Sequence, residues 1–416
     1  MSQPSSSQPS ALPPTEVTVS GETLLLTISG LDRPGVSMAL FTALSAHHLL
    51  ILDVEQIVLS GQLILATLVA PAPDSSDDVL DGALVTAQRV ADSLVMTLTV
   101  LRGTADPGSA SEDRVHVTLL GAPLLPSALS VIAGRIAESG GNIDRIERLA
   151  AYPVTALELD VSGADPAGLR ASLTAAATSS GVDIAVQRTG LHRRSKRLVV
   201  MDVDSTLIQG EVIEMLALQA GCEEEVRQIT ETAMRGDLDF EESLRARVAL
   251  LAGLEVAALD DVRQRVQLAP GARTLVRTLK RLGYRCGIVS GGFSQITDQL
   301  AADLELDFSA ANTLEVKDAR LTGGLVGAIV DRAGKAAALR QFASDSGVPL
   351  PQTVAIGDGA NDLDMLATAG LGVAFNAKPM VRAAADTAVN VPYLDSILFL
   401  LGISREEIDS ADPPPE

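Results

Sequence analysis

Residues 198–403 read as a doubly wound α/β domain, and the residues before them as two smaller α+β units. Three observations predict this. After Leu198, short apolar runs (RLVVMDV, RCGIVSG, TVAIGDG and LGVAF) alternate with helical segments, the pattern of a parallel sheet built from βα units. The first three runs end in polar residues and glycine, as strands do where an open sheet forms a ligand crevice. Before Leu198, a β-α-β-β-α-β order occurs twice, in 21–102 and again in 113–189.

The bulk numbers agree with several globular domains. The chain has 416 residues, 47% hydrophobic and 20% charged. Aromatic residues make up 2% and tryptophan is absent, so the core must be aliphatic. A net charge of −21 leaves no basis for a long basic patch, so no nucleic-acid partner is expected. No apolar run reaches the ~18 residues of a membrane span, the run SILFLLGI at 396–403 being far shorter, so no membrane partner is expected either. Cys222 and Cys286 give neither a disulfide framework nor a CxxC pair. They read as buried small apolar residues of a cytoplasmic protein. The start, MSQPSSSQPSALPPTE, lacks the basic and apolar parts of a signal peptide and reads as a disordered tail over 1–20. A second tail is expected over 404–416.

In the first unit, Leu24, Leu26 and Ile28 alternate as a half-buried strand should. A helix runs from about Gly35 to His47. Strands LLILDVEQIVL and QLILATLVA flank a turn at Ser60-Gly61, and a helix near 78–91 and the strand LVMTLTVL close the unit. The second unit repeats this with VHVTLL, a helix marked by Leu125, Leu129, Ile132 and Ile136, two strands around Tyr152-Pro153, a helix marked by Leu169 and Leu173, and VDIAVQ. Both are therefore ferredoxin-like. The loop Gly30-Leu31-Asp32-Arg33-Pro34-Gly35 delivers a helix N-terminus whose N–H groups suit a carboxylate. With this loop the first unit resembles an ACT domain, a regulatory module that often binds amino acids. The resemblance implies an effector site at Gly30, Asp32 and Gly35. The second unit departs from it, with Gly121-Ala122-Pro123-Leu124 in the corresponding place. The stretch HRRSKR, within a linker at 190–197, reads as a solvated basic connection.

The second half concentrates chemistry at the strand ends. Asp202 and Asp204 close the first run, Ser290-Gly291-Gly292 the second, and Gly357-Asp358-Gly359-Ala360-Asn361-Asp362 the third, while Lys335 begins a helix carrying Ala336, Leu339 and Phe342. Acids so close together repel unless a cation lies between them, and carboxylate oxygens suit a hard cation such as Mg²⁺. This set, DxDST, SGG, Lys and GDGxND in that order, resembles the haloacid dehalogenase superfamily, with its Rossmann-like core, and within it the phosphoserine phosphatases. Tandem ACT-like units before such a domain resemble the long actinobacterial form. The resemblance implies Asp202 as the nucleophile that becomes an aspartyl-phosphate and Asp204 as general acid and base. Asp202, Asp358 and the main-chain carbonyl of Asp204 would hold Mg²⁺, with Mn²⁺ a possible substitute. Ser290, Gly291 and Lys335 would clamp the phosphate, with Asn361 beside them.

Between the first and second runs, helical patterns marked by Val212, Met215, Leu216 and Gln219, then Phe240, Leu244 and Val248, predict a helical cap over about 212–268. Glu211 and Arg247 match the family's substrate-reading pair, and Met234 and Phe240 its apolar lining. A carboxylate and a guanidinium complement the ammonium and carboxylate of O-phospho-L-serine. The implied partners are that substrate, L-serine as an effector at the ACT-like units, and a second copy of the chain in a homodimer. Two alternatives are a phosphatase or phosphotransferase for another small ester and a non-catalytic amino-acid sensor. The intact Asp202, Asp204, Lys335 and Asp358 speak against the sensor.

Overall fold

The computed structural model describes residues 21–411 apart from 74, 77, 105–113, 191, 192, 194 and 235–237. The expected tail at 1–20, the end of the chain beyond 411, His192 and Arg194 lie outside the described residues. Two compact units, 1–110 and 111–416, make up the chain.

The first unit runs β1 (Glu22–Leu31), α1 (Val36–Leu44), β2 (Leu49–Leu59), β3 (Gln62–Pro71), α2 (Val79–Ser93) and β4 (Thr97–Thr104). Its antiparallel sheet, in the order β2-β3-β1-β4, buries Leu24, Leu26 and Ile28 against Leu40, Leu44, Ala83 and Ala87 of the helices. Ser60 and Gly61 both have positive φ, 50° and 76°, the tight hairpin turn whose twist suits its strands. The last strand starts later than its apolar residues suggest. Leu94 and Val95 finish α2 instead, with Val95 at φ 53° and the Met96 N–H donating to the Ala91 carbonyl.

The second unit opens with β5 (Arg114–Gly121), α3 (Pro126–Glu138), β6 (Asn142–Ala150), β7 (Thr155–Ser162), α4 (Pro166–Ser180) and β8 (Asp183–Arg188), the sheet running β6-β7-β5-β8. One face of this sheet puts Val115, Val117 and Leu119 onto Ile132, Ile136, Leu169 and Leu173. The other face sends Leu120, Ala156 and Ala185 into the core of the α/β domain. Leu125, expected in the helix core, is 54% exposed. It precedes the helix, which Pro126 starts.

The α/β domain follows: β9 (Leu198–Met201), α5 (Val212–Ala220), α6 (Glu223–Met234), α7 (Phe240–Ala249), α8 (Ala257–Arg265), α9 (Ala272–Arg281), β10 (Arg285–Phe293), α10 (Ser294–Asp303), β11 (Phe308–Lys317), β12 (Arg320–Val326), α11 (Arg332–Asp345), β13 (Thr353–Gly357), α12 (Leu363–Thr368), β14 (Gly372–Phe375), α13 (Pro379–Ala384), β15 (Thr387–Val389), α14 (Ile397–Leu400) and α15 (Arg405–Ala411). The sheet order is β12-β11-β10-β9-β13-β14-β15. All neighbours are parallel except β11 and β12. No helix among the described residues is long and apolar enough to cross a membrane.

Three further expectations need correcting. Residues 405–411 are a helix rather than a tail. Ser404 and Glu407 form a reciprocal cap, the Ser404 N–H donating to Glu407 Oε2 at 2.7 Å and the Glu407 N–H to Ser404 Oγ at 3.2 Å, and Ile408 is buried. The basic linker is not solvated. Arg193 is buried, ion-paired with Glu158, and donates to the carbonyls of Leu400 (3.1 Å) and Phe399 (3.2 Å). It thereby adds a donor to the carbonyls at the end of α14, which also accept from the Gly402 N–H and Gln187 Nε2. Lys196, also buried, donates to the Pro351 carbonyl at 2.6 Å, and burial pushes its pKa down to about 8. Of the two free cysteines, Cys286 is buried but Cys222 only partly so.

Candidate active site

The chain fills the sheet from β9 toward β12 and then returns to place β13 on the other side of β9. That reversal opens a crevice at the carboxyl ends of β9 and β13, where Asp202 and Asp358 sit. The Asp202 N–H donates to the Ile356 carbonyl of β13 at 2.8 Å, and its Oδ1 accepts from the Val203 N–H at 2.8 Å. The chain then turns sharply, with Ser205 at φ 58°, a left-handed conformation rare outside glycine. Asp204 is held on both oxygens. Oδ1 accepts from the Val212 N–H (2.8 Å) and Oδ2 from the Ser290 hydroxyl (3.0 Å).

Ser290, within β10, is fully buried and not among the cavity-lining residues, whereas Gly291 and Gly292 are. A side chain would crowd this edge. A Cβ on Gly291 would lie 3.1 Å from Phe240 Cζ, and one on Gly292 2.9 Å from Asp204 Oδ2. Asn312 of β11, overlooked in the sequence, ties this edge down. Its Nδ2 donates to the Gly291 carbonyl and its Oδ1 accepts from the Val330 N–H, both at 2.8 Å.

Lys335 lies on α11 with no exposed surface. Its Nζ is 2.6 Å from Asp202 Oδ1 and 2.7 Å from Asp362 Oδ1. Burial alone would pull the ammonium down, but the two carboxylates outweigh it and hold it above the ordinary lysine range. Asp362, the last residue of the GDGxND run, has a role that the motif alone does not reveal. Its Oδ2 accepts the N–H groups of Asp358 (3.1 Å) and Gly359 (2.9 Å), so one buried acid orients both the ammonium and the Asp358 loop. Burial raises the pKa of Asp202 well above the carboxylate range against the pull of Lys335, raises Asp204, and brings Asp358 to about 6 with help from Asp362.

The cap is set on a narrow neck. Ile208 bridges Leu268, and the Gln209 N–H donates to the Gln267 carbonyl at 2.8 Å. Helices α5–α8 extend from it. Cap and strand ends enclose a cavity of about 700 Å³ whose lining includes Asp202, Asp204, Lys335, Asp358, Glu211 and Arg247. Phe240 and Asn361 line it too. The Met234 side chain lies outside the described residues. Glu211 accepts from the Ser205 hydroxyl at 3.2 Å, and burial, then Asp204 and Asp358, raise its pKa to about 7. Arg247 donates to the Ser243 carbonyl at 3.3 Å, and burial lowers its pKa.

In the first unit, Asp32 and Gly35 line a cavity of about 340 Å³ together with Ser37, Met38 and Gln56. Gly30 does not line it and instead pairs with Leu63 within the sheet.

Over 391 residues the chain is 59% identical to the phosphoserine phosphatase of Streptomyces coelicolor, covering 94% of each protein. The chain belongs to the phosphoserine phosphatase family. The phosphoserine phosphatase of Mycobacterium tuberculosis is 51% identical, with 94% of this chain and 95% of that protein covered. Residues 199–367 match the haloacid dehalogenase-like hydrolase family, and 22–97 and 114–187 each match an ACT domain. Among solved structures, a HAD family hydrolase from Salmonella enterica serovar Typhi superposes with a TM-score of 0.60 at 29% identity, covering 69% of this chain and 98% of that one. The two ferredoxin-like units are thus ACT domains, and the α/β domain is a haloacid dehalogenase-like hydrolase with a helical cap.

The donor set in this phosphatase core fits a cation. Oxygens of Asp202, Asp358 and Asp362 lie within 4.8 Å of one another. Hard carboxylate donors at this density suit a divalent ion that keeps some water. Asp362 already has both oxygens engaged by Lys335 and the loop N–H groups. Asp202 and Asp358 are the better-placed pair.

Proposed function

We propose that this chain hydrolyses O-phospho-L-serine to L-serine and phosphate, the last step of serine synthesis, with Mg²⁺, or Mn²⁺ in its place, at Asp202, Asp358 and the main-chain carbonyl of Asp204. One observation carries the reading: a single cavity has a nucleophile paired with an ammonium at its floor and a carboxylate and a guanidinium in its wall. Val203 and Lys335 both engage Oδ1 of Asp202, which leaves Oδ2 available to attack phosphorus. The P–O bond to serine breaks as the Asp202–phosphorus bond forms, and Asp204, whose pKa burial raises, donates a proton to the departing serine oxygen. Asp204 then takes a proton from the water that hydrolyses the aspartyl-phosphate. Lys335, the Gly291 N–H and Asn361 hold the phosphate oxygens, and Ser290 orients Asp204. A bound Mg²⁺ would add positive charge where the phosphoryl group transfers. Glu211 takes the substrate ammonium and Arg247 its carboxylate.

Phosphate release from L-phosphoserine with and without Mg²⁺, beside a panel of other phosphate esters, tests this. Metal-dependent release confined to phosphoserine is expected. Release from other esters only would keep the chemistry and reject the roles of Glu211 and Arg247. The pH profile gives a second check. Glu211 must be ionised to hold an ammonium, and its pKa stands at about 7. KM for phosphoserine should therefore rise as pH falls through that value, and Glu211→Gln should give a higher KM without this step.

We also propose that L-serine reports back through the first ACT domain. The cavity holding Asp32 and Gly35 supports this, and serine titration of activity before and after Asp32→Ala tests it. A cytoplasmic homodimer is the form we propose. The apolar residues Ile51, Val54, Ile57 and Val58 exposed on β2 support self-association.

A further inference from the structure

One wall of the active-site cavity comes from the connection between β14 and β15, through Lys378, Met380 and Val381. Its return strand, β15, is the last in the sheet. Beyond it lies the second ACT domain. Asp183, the first residue of β8, is 8% exposed. Its Oδ2 accepts the N–H groups of Asn390 (2.6 Å) and Val391 (3.2 Å), and its Oδ1 accepts Asn390 Nδ2 (2.6 Å). That orientation leaves Asn390 Oδ1 to accept from Arg382 of α13 at 3.4 Å. At the other end of β15, Arg170 of α4 reaches Asp386 at 3.1 Å, and Asp386 accepts the Gly372 N–H at 2.9 Å.

These two clamps differ in weight. Arg170 and Asp386 are 44% and 38% exposed, and exposed pairs contribute little. Asp183 is a buried carboxylate receiving three N–H donors, a charge-assisted arrangement with essentially one geometry. We propose that Asp183 is a positioning residue for the reaction. By fixing the Asn390–Val391 backbone where β15 ends, and more weakly through the exposed Arg382–Asn390 bond, the second ACT domain sets the Lys378–Val381 wall against the substrate. The inference rests on the phosphatase reading for its kinetic readout, though not for its structural one.

The experiment compares the full-length Mg²⁺-loaded wild type with Asp183→Ala, Asp183→Asn and Gln187→Ala. Gln187 is the control, since it donates to the Leu400 carbonyl at 2.8 Å, elsewhere on the same domain contact. Two quantities are read: KM and kcat for L-phosphoserine, and hydrogen exchange across 376–391. Losing hydrogen bonds to a buried charge should raise KM roughly tenfold in Asp183→Ala with kcat little changed. Exchange across 376–391 should quicken by a similar factor of about ten, while Gln187→Ala moves neither. Should Asp183→Ala fail to fold, Asp183→Asn keeps the volume. Its amide would force Asn390 to turn and release Arg382, raising KM and local exchange to a smaller extent. Equal KM changes in the Asp183 and Gln187 variants, or wild-type exchange across 376–391 in the Asp183 variants, would overturn the proposal. If the wild type hydrolyses no phosphoserine, the exchange comparison decides alone, since the kinetic failure then belongs to the activity assignment.

Discussion

Asp202→Asn is expected to fold like the wild type and to release phosphate from L-phosphoserine at least about 10⁴-fold more slowly, the scale on which removing a nucleophile acts. An amide oxygen in place of Asp202 Oδ1 still accepts from Val203 and Lys335, so the local scaffold survives. Lys335 also keeps Asp362 as a partner, so no buried charge is left alone. What disappears is the oxygen that forms the covalent bond. Acid-quenched wild type incubated with substrate should carry phosphate on Asp202, and the variant none. A variant retaining a tenth of the activity would move the nucleophile elsewhere.

Lys335→Met should cost both activity and stability. It removes the one ammonium between Asp202 and Asp362, which are 3% and 0% exposed. Breaking a buried pair leaves uncompensated charge and costs about 3–5 kcal/mol. Phosphate release should fall about 10²–10³-fold with the loss of a preorganised positive group at the transferring phosphoryl. Urea unfolding in EDTA reads the first effect and steady-state rates read the second. Unchanged unfolding would mean the two acids simply take up protons, and that the ammonium contributes nothing to holding the floor together.

What the sequence made legible is what the chain writes locally. The apolar run ending in Asp202 and Asp204 is a strand leading into a crevice, and the doubled β-α-β-β-α-β order is a repeat of element types. The residues it hid take their meaning from partners far along the chain. Asp362 matters because of Lys335, 27 positions earlier, and Asn312 because it bridges Gly291 and Val330. Arg193 looked like surface charge because its partners, Glu158 and the carbonyls of Phe399 and Leu400, are more than thirty and two hundred positions away. The strand β11 was invisible for another reason: only two of its ten residues are buried, so no apolar run announces it. The Ser404–Glu407 cap was written in plain S-x-x-E spacing, but the proline-rich end beside it carried more weight.

The buried strap at Arg193 also decides where this molecule can be divided. The sequence puts a seam at 190–197, and a catalytic fragment would naturally begin at Leu198. Such a fragment would lose the guanidinium that donates to the Phe399 and Leu400 carbonyls and the ammonium on Pro351. It would also lose Leu120, Leu149, Ala150, Val154, Ala156 and Ala185 from its own core. In this chain the second ACT domain and the hydrolase share one core, so a cut at Leu198 passes through a packed interior rather than along a linker.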